Sequence, residues 1–76
     1  MDHETRVRVL KQIVDEAVLR LMTGSIAPSE AQIIAERVRN QARLLIPSQM
    51  QTYDLIYGSR LRRVIEQFVQ SSDLER

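Results

Sequence analysis

The chain has no cysteine, one histidine and two glycines. Without cysteine there is no disulfide, no thiolate nucleophile and no sulfur-ligated metal. A single histidine, His3, leaves neither a Cys–His pair nor a Ser–His–acid set. Gly24 and Gly58 stand far apart, so no glycine-rich loop can cradle a phosphate. His-x-x-x-His and Glu-x-x-His ligand spacings are absent as well. A non-enzymatic protein is expected, with no catalytic residues, no cofactor and no metal centre.

His3 has one chemical possibility of its own. As third residue of Met1-Asp2-His3 it can join an amine and two amides in a square-planar nitrogen set suited to Cu(II) or Ni(II). Helix initiation explains the residue without a metal.

Aromatic residues are equally scarce. Tyr53, Tyr57 and Phe68 make up 4% of the chain, and tryptophan is missing. A core must therefore be built from Val, Ile, Leu and Ala, drawn from a hydrophobic content of 43%. No apolar run exceeds three residues, as in Leu44-Leu45-Ile46. That is far short of the roughly 20 needed to span a bilayer. The polar start, Met-Asp-His-Glu-Thr-Arg, leads into no signal-like stretch. A cytoplasmic protein with no membrane partner is expected.

What is present is a repeated helix-start signal. Ala27-Pro28-Ser29-Glu30-Ala31-Gln32 returns as Ile46-Pro47-Ser48-Gln49-Met50-Gln51, 19 residues later. Each Pro blocks helix on its N-terminal side. Each Ser is placed to cap the following turn, with a Gln three residues on to complete a capping box. The signals divide the chain into three segments.

At about 100° per residue each segment carries one apolar stripe. The first reads Val7, Leu10, Ile13, Val14, Ala17, Val18 and Leu21, with Asp2 as N-cap and Gly24 as a left-handed C′ residue. The second reads Ala31, Ile34, Ala35, Val38, Ala42 and Leu45. The third reads Met50, Tyr53, Tyr57, Leu61, Val64, Ile65 and Phe68 and continues through Gly58, where a close crossing or a bend is expected. No strand pattern competes. The expected fold is an all-α, compact three-helix up-down-up bundle over residues 1–70, with a frayed tail at 71–76. At this size a core supplies only roughly 3–5 kcal/mol, so association is the natural source of further buried area.

Two binding readings follow. Ile33, Leu44, Leu55 and Ile56 lie off the stripes, with Arg37 on the line of Ile33 and Leu44; Val9 and Leu19 are off-stripe too. A protein partner, most simply a second copy forming a homodimer, would bury them. This is the favoured function: a small helical interaction or assembly module. The alternative is nucleic-acid binding. Residues 31–69 carry six arginines, Arg37, Arg39, Arg43, Arg60, Arg62 and Arg63, against Glu36, Asp54 and Glu66. Helix two, a tight turn and helix three also superficially resemble a helix-turn-helix. The net charge of only +1 weighs against it.

Asp54 stands on the third stripe among Met50, Tyr53, Tyr57 and Leu61. A carboxylate there calls for a cationic partner. Arg6 is expected to supply it, with Arg43 or a tyrosine hydroxyl as substitute. Otherwise Asp54 must sit solvated at the stripe's margin.

Overall fold

Asp2 starts the first helix as its position requires: its carboxylate accepts the Thr5 N–H at 2.8 Å. The computed structural model describes residues 2–69, so Met1 and the expected tail at 71–76 lie outside it. Helix α1 spans His3–Thr23 and α2 spans Pro28–Leu45. A 3-10 turn, Pro47–Gln49, leads into α3, residues 50–68. The third helix is α-helical over Met50–Tyr53, π-helical over Asp54–Gly58 and α-helical again over Ser59–Phe68. No strand occurs among the described residues. The fold is all-α.

Two ion pairs fix the register. Arg60 of α3 reaches Asp15 of α1 at 3.5 Å, at similar depths along two parallel helices. Arg39 and Asp54 stand equally far in sequence from the Ile46–Pro47 turn and meet across the α2–α3 hairpin. The topology is up-down-up.

The stripes form one core. Leu10, Val14, Ala17, Val18 and Leu21 of α1 pack with Ala31, Val38 and Ala42 of α2 and with Tyr53, Leu61 and Ile65 of α3. Ile46 and Val69 are buried with them, whereas Phe68 is 44% exposed, against expectation. Four-residue steps from Leu61 through Ile65 to Val69 carry the buried line at the helix end, and Phe68 falls behind it.

The capping devices differ from the expected ones. Pro28 is the first residue of α2, and Ala27 in extended geometry is its N-cap, with no side-chain bond. Proline's fixed φ suits that first position, where an N–H would be unpaired anyway. Ser29 therefore lies inside the helix, too late to cap it. Ser48 likewise falls within the 3-10 turn and caps nothing. Gly24 is extended, with φ −92°, and its N–H bonds the Arg20 carbonyl. No left-handed residue ends α1.

The π-helical turn is the main feature not anticipated. Eight residues separate Tyr53 from Leu61, which at about 100° per residue would point them about 80° apart. Widening one turn absorbs a residue and closes the difference to about 20°. Tyr53 thus enters the core line, and Asp54 leaves it. Ser59 holds the turn: its N–H reaches the Asp54 carbonyl, and its hydroxyl donates to that oxygen at 3.2 Å.

Gly58 has helical φ and ψ, −62° and −42°. The atoms nearest a Cβ there would be Asp54 Oδ1, the Tyr53 carbonyl oxygen and Tyr53 Cε2, at 3.6 to 3.8 Å. Among the described residues no close crossing demands glycine. Gly58→Ala should accordingly raise folding stability by up to about 1 kcal/mol, read as a higher urea midpoint. At a concentration too low for association, an unchanged or lowered midpoint would mean that the turn itself needs glycine.

Candidate functional site

Where α2 and α3 diverge they leave an open groove of about 490 Å³. Its floor is small and apolar: Ala35 of α2 and Gly58 of α3 line it, with Leu61 and Ile65. The α2 wall carries Gln32, Glu36 and Arg39; the α3 wall carries Asp54, Arg62 and Glu66. Both charge signs line both walls. Tyr53 lies buried against the same groove.

At one end a two-pronged ion pair closes the hairpin. Arg39 donates through Nε to Asp54 Oδ1 and through Nη2 to Oδ2, each at 3.1 Å. The paired hydrogen bonds hold the Asp54 carboxyl below its ordinary range, with Arg43 adding a weaker pull, and raise Arg39 in turn. The expected Asp54–Arg6 contact is not formed. Asp54 instead faces α2, where Arg39 takes it. Both side chains of the pair stay more than two-fifths exposed, so Asp54 is no core residue.

Because Asp2 and Asp54 are both lowered, by Thr5 and by Arg39, their stabilisation is present above the ordinary value of 3.8. It is lost as pH falls through the depressed folded values. The Arg39–Asp54 pair remains a surface pair, screened by salt.

The arginines do not share a face. Arg60 leaves α3 towards α1 and Arg62 towards α2. Arg39 is taken by Asp54 and Arg60 by Asp15. Arg37 lines a second, smaller hollow between α1 and α2 with Glu16 and Arg20. Arg43 lies near Asp54, and Arg63 is exposed.

The off-stripe apolar residues are exposed as read: Leu44 83%, Leu55 71%, Leu19 61%, Ile56 56% and Ile33 50%. Val9 is only half-exposed. They lie on outer lines of separate helices and do not enter the groove.

The groove escaped the sequence reading, because it depends on which residues of α2 and α3 stand opposite one another. Among the described residues no group of three or more His, Cys, Asp or Glu could hold a metal ion, and no helix is long and apolar enough to cross a membrane. No protein-family model, curated protein or solved structure matches the chain.

Proposed function

We propose that this chain is a non-enzymatic helical interaction module that buries its exposed apolar side chains against another protein. The observation that supports it most is the set of large outward apolar residues headed by Leu44 and Leu55, on a domain whose own core is thin. A cytoplasmic setting accords with the absence of cysteine. Nucleic-acid binding through the six arginines has less support, since two are ion-paired within the chain, and Arg37 and Arg62 line different hollows.

Native isolation tests this. The untagged protein from its own cells should sediment as a species heavier than the 8.8 kDa chain. Ile33→Glu combined with Leu44→Glu should release it with unchanged helical circular dichroism. Both sites are exposed, so each change should alter folding stability by no more than about 0.5 kcal/mol. A native species of monomer mass that binds duplex DNA at low salt, and lets go steeply as salt rises, would overturn this reading in favour of the alternative.

A further inference from the structure

The α3 wall of the groove carries a line of charge that pairs with itself about Gly58. Asp54, Gly58, Arg62 and Glu66 follow at four-residue steps, negative, empty, positive and negative, and all four line the groove. Turned end for end about an axis through Gly58, that line sets positive against negative twice. Self-complementarity of this kind is what a two-fold contact between identical chains requires.

Gly58 supplies a second reason. A glycine within a helix is disfavoured, and among the described residues a Cβ at this position would meet only ordinary van der Waals contacts. At a crossing with an outside helix, by contrast, the missing side chain lets two backbones approach closely. Ala35 of α2 lines the same floor.

Arg62 is free to pair, and Asp54 keeps acceptor capacity beyond its Arg39 contact. Arg62 has no ion pair among the described residues. Asp54 uses one direction of each oxygen for Arg39. A carboxylate offers about four lone-pair sites, so a second guanidinium can still be accepted.

We propose that a second copy of this chain lays its third helix antiparallel across α3 at Gly58, with Arg62 of each protomer paired to Asp54 of the other. The proposal rests on the interaction-module reading and adds to it the partner and the face. Ile33 and Leu44, on the outer line of α2, stay uncovered and open to a different protein.

The cysteine-free chain makes a clean test, carried out on purified full-length protein. Gly58→Cys places two thiols at the two-fold axis, within reach of a disulfide at a close crossing, and the space around the site accepts the new Cβ. Mild oxidation should link Gly58→Cys into a covalent dimer, while Leu44→Cys stays a monomer by mass. Arg62→Asp should weaken the dimer by about tenfold or more in sedimentation equilibrium, because it sets two acids face to face. Mixing it with Asp54→Arg should restore a heterodimer. Since Asp54→Arg also removes the Arg39 pair, helical circular dichroism must first show it folded; the Gly58→Cys link decides the matter without it. Linking at position 44 but not 58, or a dimer indifferent to Arg62→Asp, would overturn the face and leave the interaction-module reading standing. Purified wild type that stays monomeric at high micromolar concentration would overturn self-pairing. If the heavier native species persists in that case, the failure belongs to this proposal alone.

Discussion

Tyr53→Ala should leave the chain largely unfolded at room temperature, with most of its helical circular dichroism lost. Tyr53 is the largest fully buried side chain, and the other two rings do little of the same work: Tyr57 is half-buried and Phe68 is exposed. The rest of the core is Leu, Ile, Val and Ala, too small to close over the space left behind. Removing a buried aromatic ring costs about 3–5 kcal/mol, and a domain of this size has roughly that much stability in all. Tyr53→Phe separates ring from hydroxyl. The hydroxyl makes no hydrogen bond among the described residues, so the Phe variant should melt close to wild type at neutral pH.

The same pair of variants carries a pH signature. Burial, with the nearby Asp54 charge adding to it, pushes the Tyr53 hydroxyl up from 10.0 to about 12. On raising the pH the unfolded tyrosine ionises first, while the folded one keeps its proton. Stability is therefore intact below pH 10 and falls as pH rises towards 12. Tyr53→Phe should lack this alkaline loss. A Tyr53→Ala variant that melts within a few degrees of wild type would show that the ring is not a core element.

Much of the bundle was legible because its stripes are long and its breaks are prolines. Leu10, Val14, Val38, Leu61 and Ile65 sit where a 3.6-residue period puts them. The capping residues were misread because two devices compete at an Ala-Pro-Ser sequence: a Ser hydroxyl that can cap, and a Pro that fits the first helical position. Proline prevailed at both Pro28 and Pro47. The π turn left a visible trace, since a carboxylate stood on an otherwise apolar line at Asp54. A regular helix would have had to bury it with a partner or leave it solvated at the stripe's margin. A distant cation could have met it there; instead the helix widens by one residue and Asp54 pairs with Arg39. Periodicity alone could not choose between them, because the energy that decides, the burial of Tyr53, lies across the helix interface. Nor could it bring Ala35 and Gly58 to one floor, on which the groove depends.

The re-phasing account leads to an unusual expected result: deleting Leu55 should leave the bundle folded, while deleting Arg63 should unfold it. Both residues are exposed and neither packs in the core, so a contact-by-contact view treats the two deletions alike. Phase does not. Removing Leu55 takes one residue from the five of Asp54–Gly58 and lets that stretch relax to an ordinary α-helical turn. Ser59 N–H still finds the Asp54 carbonyl, now four residues back rather than five. Tyr53 and Leu61 keep the alignment that the π turn had provided, and Asp54 keeps its place beside Tyr53, facing Arg39. Removing Arg63 shortens a stretch that is already α-helical, Ser59–Phe68, and has no slack to release. Everything beyond it turns by about 100°. Ile65 and Val69 leave the core, each forfeiting about 1.5–3 kcal/mol of burial, and Glu66 is carried off the groove wall. Together these losses match the roughly 3–5 kcal/mol available to so small a core. Thermal melts followed by helical circular dichroism would read the contrast directly. The Leu55 deletion should show a cooperative transition near that of wild type, and the Arg63 deletion none. If both deletions abolish the transition, the π turn is held in place by contacts of its own rather than by the phase it corrects.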